Sequence, residues 1–313
     1  MRRKFLIILT LALVGIGLVL LFGISPKIFD YAIKKRIIKV IGILACGLAV
    51  GVSTTAFQAI TTNRILTPSI FGLDTLYLTV QAAIIFFLTP ESIMVKDPYI
   101  NFVLSFLIMT GFSVLMFRFM FSRLKGIFLL LLVGIVFSVL FQSIVGLLQM
   151  LMDPTSFEFY QAFMFASFNN INEAILYFVL ALVALLSAYL YSQNKSMDVL
   201  SLGKDKAINL GLDYDKTALA FLVCVFILTA ASTALVGPIT FLGFMVVNIT
   251  ITYLNTYQNQ YLLPASTLIA IIVLAFGHVL TEELLGVGVP ISILINIVGG
   301  LYFIHMLLRE KLS

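Results

Sequence analysis

Tryptophan is absent from the 313 residues, and there are only two histidines and two cysteines. So few nitrogen and sulfur donors exclude a disulfide framework and give no metal-ligand pattern. Cys46 and Cys224 also sit inside apolar runs. Charge is scarce as well, with Asp, Glu, Lys and Arg making up 11% of the chain. No basic patch interleaved with aromatics offers itself to nucleic acid. There is no G-x(4)-G-K-[ST] to cradle nucleotide phosphates, and no H-E-x-x-H, paired carboxylates or Ser/His/Asp set is apparent. Neither catalysis nor a cofactor is expected of this chain.

What is present is apolar. Hydrophobic residues make up 61% of the chain, and the mean hydropathy is +1.14, so lipid is the solvent. A helix needs about 20 apolar residues to cross a bilayer. Charge-free runs place ten such spans: Phe5–Gly23, Val40–Thr62, Ile70–Leu88 with Asp74 near its start, Tyr99–Phe117, Ile127–Leu151, Ala174–Tyr191, Thr217–Val236, Ile239–Leu254, Pro264–Leu280 and Ile291–Leu308. Nothing is charged between Thr217 and Thr281, so Gly237-Pro238 and the polar string from Asn255 to Gln260 supply the breaks there. Phe159–Phe168 is too short to cross and is expected at the interface. Arg2-Arg3-Lys4 before an apolar run resembles a signal peptide, but the run is long and no clean cleavage site follows, so it reads as a retained span. No linker is long or polar enough to divide the chain. Residues 1–313 are expected to form one all-α transmembrane domain.

Lys and Arg in the loops set the orientation. With the N-terminus cytoplasmic, 13 of the 19 basic residues fall inside, including Arg64, Arg118, Arg123, Lys125, Lys195, Lys204, Lys206, Lys216, Arg309 and Lys311. Lys27, Lys34, Lys35, Arg36, Lys39 and Lys96 fall outside with eight acids: Asp30, Glu91, Asp97, Asp153, Glu158, Glu173, Glu282 and Glu283. An even number of spans returns the C-terminus to the same side. The outer cluster Lys34, Lys35, Arg36, Lys39 runs against the trend. It fits either lipid headgroups or an acidic surface on an extracytoplasmic partner.

Ser192–Thr217 is the most polar stretch, with eight charges in 26 residues and long apolar segments on both sides. Within it, Leu202-Gly203-(x)3-Ala207-(x)2-Leu210-Gly211 reads as a short helix bounded by glycines. Leu202, Ala207 and Leu210 are expected to face a soluble partner, the alternative being a solvated connector.

Two further stretches join this loop. One runs Gln58-Ala59-Ile60-Thr61-Thr62-Asn63-Arg64-Ile65-Leu66-Thr67-Pro68-Ser69-Ile70-Phe71-Gly72. The other runs Gly237-Pro238-Ile239-Thr240-Phe241-Leu242-Gly243-Phe244-Met245-Val246-Val247-Asn248. In this order and spacing, over nearly the whole chain, the three resemble the FecCD/BtuC-type permeases, which import iron-siderophores, haem and cobalamin. That family reads Q…N-P-L-A-x-P-x-x-L-G, then L-S-L-G…A…L-G, then G-P-I-G-F-V-G-L-I-V-P-H. Here Arg64 stands where proline is usual, and Val247-Asn248 replaces Pro-His. The variant looks like the branch serving catechol-type and mixed siderophores, including anguibactin and petrobactin systems.

The resemblance implies an iron-siderophore permease of an ABC importer in a bacterial cytoplasmic membrane. ATP would be hydrolysed by two separate subunits docked under Leu202, Gly203, Ala207, Leu210 and Gly211. Gln58, Asn63, Pro68, Gly72, Gly237, Pro238, Gly243 and Asn248 would form the pathway motifs. A related second permease would complete the dimer. The family's outer R-x-P-R aligns with Arg36-Ile37-Ile38-Lys39, which would meet acids on a siderophore-binding protein, with Lys34 and Lys35 beside it. A further family arginine falls at Thr281 and is missing. Two alternatives stay open: a haem or cobalamin permease, and an ion-gradient carrier. Against the carrier, Asp74, Glu173 and Glu282 read as lying near span ends, away from membrane depth.

Overall fold

A computed structural model describes residues 1–23, 29–90, 92–123, 127–284 and 289–310. Lys27, Glu91, Lys125 and Lys311 of the charge pattern lie outside the described residues, as do the side chains of Asp30, Arg123, Glu283 and Arg309. The described residues form fourteen α-helices and no strand. Seven helices are long and apolar enough to cross a membrane. They are α1 (Arg2–Leu21), α2 (Phe29–Thr61), α5 (Pro98–Arg123), α6 (Ile127–Leu151), α8 (Glu173–Ser192), α11 (Tyr214–Val236) and α13 (Asn259–His278). Three more occupy expected spans: α3 (Leu73–Leu88) and α12 (Leu242–Leu254), which are shorter, and α14 (Ile291–Glu310). The short helices are α4 (Ile93–Lys96), α7 (Pro154–Met164), α9 (Asn194–Leu200) and α10 (Lys204–Asn209).

α2 is the axis of the bundle. Its 33 residues rise about 50 Å, well beyond the hydrocarbon core. The charge-free run begins at Val40, but the helix begins at Phe29. Isoleucine, lysine and arginine extend it without a breaker, so Lys34–Lys39 ride on its opening turns rather than on a loop. α2, α11 and α13 are the most buried spans, while α1, α5, α6 and α8 turn broad apolar faces outward. α2 and α13 pack backbone to backbone. A Cβ on Gly51 would lie 2.7 Å from Thr267 N, and one on Gly47 would lie 2.8 Å from Ile271 Cγ1. This small-xxx-small approach is completed by a buried Thr55–Ser266 hydroxyl pair at 2.9 Å. α3 and α5 are tied by Gln81 Nε2 donating to Asn101 Oδ1 and Ser105 Oγ, each at 2.9 Å.

Two breaks interrupt the bundle. Pro68–Phe71 forms a single 3-10 turn, and Gly72, at φ 83°, redirects the chain into α3. The other break, at 237–241, separates α11 from α12. Gly237 has φ 101° there, and a Cβ would lie 3.0 Å from the backbone of Ala166 and Phe165. α12 has only 13 residues, about 20 Å, and cannot cross alone. α13 starts at Asn259, five residues before the proline expected to open it, so Pro264 sits inside the helix. Beyond α13 the chain loosens into a π-helical turn, Val279–Leu284.

Candidate functional site

The polar stretch 192–217 folds as α9, α10 and the start of α11. Gly203 opens α10 at φ 93°, and Gly211 closes it at φ 85°. The closure is a Schellman motif: Gly211 N donates to Ile208 O at 2.9 Å, and Leu212 N to Ala207 O at 3.0 Å. That geometry sets the face. Leu212 is drawn inward, Ala207 is fully buried, and Leu202, Ile208 and Leu210 are exposed. The expectation that Ala207 faces outward with the leucines is corrected: its small side chain lets α10 lie flat on the permease core. Asp213 caps α11, accepting from Lys216 N and pairing with Lys216 Nζ at 2.8 Å. The Lys216 hydrogen bond holds the Asp213 carboxyl below its usual range. Tyr214 Oη donates to Ile60 O at 3.4 Å, bringing the stretch to the Thr61 end of α2. Asp198 accepts from Asn259 N at 2.8 Å and from Nδ2 at 2.7 Å, so α9 is tied to the first turn of α13.

Next to this face lies a cavity of about 660 Å³ where several motif residues converge. Gln58 Nε2 and Asn248 Nδ2 both donate to Arg64 O, at 2.7 and 3.0 Å. Asn63 Oδ1 accepts from Ile65 N at 2.9 Å and shapes the turn between them. The Arg64 guanidinium stacks 4.4 Å from the centre of the Tyr257 ring. The departures at Arg64 and Asn248 thus form one junction, in which Asn248 holds a backbone carbonyl rather than a side chain. Asn248→Leu should cost about 0.5–1.5 kcal/mol of stability. Asn248→His, which keeps an N–H for the same carbonyl, should cost less. Thermal melting of the purified chain compares the two.

Pro68, Gly237 and Gly243 line a second, smaller cavity. A Cβ on Gly243 would collide with Thr54 Oγ1. Gly72 stands just outside this cavity, 3.1 Å from Ser138 Cα of α6 by the same measure. Pro238 follows Gly237 in the α11–α12 break and bars the helix from continuing. The sequence places Asp74 near a span end. In the structure it lies at this cavity with Cys46, Val50 and Ser53, beside the middle of α2, and accepts from Thr240 Oγ1 at 2.9 Å. The signal lay in the short 3-10 turn before it, which starts α3 inside the bundle.

At the far end of α2, the docking cluster divides. Arg36 donates to Val19 O at 3.0 Å and to Phe22 O, closing the end of α1. Lys39 Nζ lies 2.8 Å from Glu282 Oε2, and Glu282 also receives Asn169 Nδ2 and stands 3.3 Å from His278 Nε2. Arg36 and Lys39, expected to meet acids on a receptor, are thus both engaged by their own chain and remain partly exposed. Lys34 and Lys35 are exposed, and Lys35 sits over Tyr31 at 5.1 Å. Thr281 is buried and donates to Gly277 O at 3.0 Å, so its position cannot offer a contact at the surface. A cavity of about 400 Å³ opens beside Glu282.

Comparison with known proteins places this architecture. The chain is 44% identical over 313 residues to the petrobactin import system permease protein YclO of Bacillus subtilis (strain 168), covering 100% of this chain and 99% of that protein. It is 29% identical to the petrobactin import system permease protein FatC of Bacillus anthracis, over 99% of this chain and 90% of that one. A solved structure described as an inward-facing conformation of a metal-chelate type ABC transporter superposes with a TM-score of 0.87. It shares 22% identity and covers 99% of this chain and 100% of that one, which establishes the fold. The FecCD profile runs from residue 5 to 309, through every span and both motif junctions, so the chain belongs to the FecCD transport family.

Proposed function

We propose that this chain is the permease subunit of an ATP-driven importer of iron(III)-siderophore complexes, with petrobactin-type siderophores as the cargo. The observation that carries this reading is the end-to-end identity of 44% to a petrobactin import permease. The chain supplies half of the pathway and hydrolyses nothing itself. Two separate ATPase subunits dock below, a siderophore-binding protein docks above, and a related second permease completes the dimer. Exposed apolar faces on α6 (Leu132, Val136, Val139) and α14 (Ile297, Leu301, Ile304) are available to lipid or to that second permease. The chain is a single transmembrane domain of a bacterial cytoplasmic membrane. The Lys and Arg distribution supports cytoplasmic termini and a cytoplasmic face at 192–217.

Within this reading the ATPase contact is the exposed side of α9–α10: Leu202, Ile208 and Leu210, held in place by Gly203, Ala207 and Gly211. The receptor contact is led by Lys34 and Lys35, with Arg36 and Lys39 shaping the surface through their internal partners. Burying a leucine at the ATPase is worth roughly 1.5–3 kcal/mol. In a strain lacking the chain, the wild type should restore uptake of radio-iron supplied as ferric petrobactin. Leu202→Glu/Leu210→Glu should not restore it, should lose the ATPase on purification, and should melt as the wild type does. Restored uptake of cobalamin or haem in place of ferric petrobactin would sink the cargo assignment. Uptake that survives ATP depletion would sink the coupling.

A further inference from the structure

Arg64 borders the cavity of about 660 Å³ beside α9 and is exposed. Among the described residues, none of its five N–H donors is hydrogen-bonded and no acid pairs with it. Two lysines of the stretch 192–217 are, by contrast, neutralised within the chain. Lys204 pairs with Asp215 at 2.7 Å and Lys216 with Asp213 at 2.8 Å. Asp198 lines the same cavity as Arg64, but its Oδ1 takes both donors of Asn259.

Arg64 is nevertheless held at both ends. Its carbonyl accepts from Gln58 Nε2 and Asn248 Nδ2, which fixes the turn that carries it. Its guanidinium lies 4.4 Å from the centre of the Tyr257 ring. A guanidinium steadied in this way has less freedom to lose when an acceptor arrives, and its planar fork matches a carboxylate, which takes two parallel N–H bonds. The surroundings indicate where the carboxylate comes from. Leu202 lines the same cavity and is 49% exposed, so the cavity is continuous with the outward face of α9–α10. The other walls come from α2, α12 and α13, and α2 and α13 are among the most buried spans. That setting favours a protein side chain over a lipid headgroup. Once a docked surface excludes water from the cavity, the attraction exceeds that of an open surface pair.

We propose that Arg64, steadied by Tyr257, receives an Asp or Glu side chain of the ATPase subunit, which enters this cavity beside Leu202. The inference rests on the reading of α9–α10 as the ATPase face and adds a charged contact to the apolar one. The test uses the importer purified whole from its native operon. A water-soluble carbodiimide joins amines to carboxylates in contact and leaves guanidinium groups alone, so Arg64→Lys is the reporter. Peptide mass spectrometry should find a cross-link from position 64 to an Asp or Glu of the ATPase in that variant. In nanodiscs, Arg64→Gln should weaken ATPase binding by about tenfold or more. Tyr257→Leu should also weaken it, and Tyr257→Phe, which keeps the ring, should not. Arg64→Gln alone should melt as the wild type does, because the carbonyl keeps both its donors. Cross-links from position 64 only to Asp198 or to the second permease, or none at all, would overturn the contact. So would wild-type ATPase affinity in Arg64→Gln, and if that variant instead retained less anionic lipid, the cation would belong to a lipid phosphate. Leu202→Glu/Leu210→Glu separates the two levels. If it keeps the ATPase, the docking face itself is wrong; if it loses the ATPase while Arg64→Gln binds normally, the face stands and only the Arg64 contact falls.

Discussion

Gly51→Leu should leave little folded protein, and Gly51→Ala should already lower thermal stability measurably. The reason is the nature of the neighbour. A Cβ at this position would meet Thr267 N, Thr267 Cα and Ser266 C at 2.7, 2.8 and 2.9 Å. These are backbone atoms and cannot rotate away. Ordinary carbon contacts sit near 3.5–4.0 Å, so α2 and α13 would have to separate by about 1 Å. That separation also stretches the Thr55–Ser266 pair and the bond from Ser266 Oγ to Gly51 O at 3.1 Å. Overpacking of this kind costs about 1–3 kcal/mol for a small addition, and more for a leucine. Gly17 and Gly111 have nothing within 4 Å of a built Cβ, so Gly17→Ala and Gly111→Ala should be neutral. Fluorescence-detected gel filtration after heating would rank the four variants. A Gly51→Leu protein that stays monodisperse at the wild-type temperature would show that the helices do not need this approach.

Ala207→Glu should destabilise the permease itself, in the absence of any partner. The side chain is fully buried under α10, and a glutamate there places a carboxylate in the apolar cluster that holds Leu200, Leu212 and Tyr214. Leaving such a charge unpaired costs several kcal/mol, enough to release α9 and α10 from the bundle. Limited proteolysis of the isolated chain should then cut within residues 194–213 faster than in the wild type. Leu202→Glu/Leu210→Glu should be cut at the wild-type rate, since both leucines already face out. Equal cleavage of Ala207→Glu and wild type would return Ala207 to the outward face.

The positions of the spans were legible because each rests on the transfer cost of charge into lipid, which is written residue by residue. Ten spans were expected, and ten helices occupy those places. The same criterion misplaced the start of α2, since a lysine stops an apolar run without stopping a helix. It also hid Asp74, whose depth depends on a single 3-10 turn upstream. Ala207 was misdirected because α10 has only six residues, too few for periodicity to define a face. Its direction follows from the Schellman closure at Gly211. The Lys39–Glu282 pair spans 243 positions, and no local pattern announces a partner at that distance. Gly47-x3-Gly51, by contrast, is a local small-residue stripe that the sequence displays directly.

The Asp198 cap on α13 has a mechanical consequence. From the exposed leucines to the far end of α2, each joint is a packed or hydrogen-bonded contact. α9 is anchored by fully buried Met197 and Leu200 and latched to α13 through Asn259. α13 then meshes with α2 at Gly51 without a cushion of side chains. α2 runs on as one rod to Arg36 and Lys39, which grip the end of α1 and the π-helical turn. The path from Leu202 to α2 therefore runs through direct contacts at every step. Any coupling of Leu202 to the Lys39–Glu282 pair has to cover about 33 Å of α2, from Thr61 to Lys39.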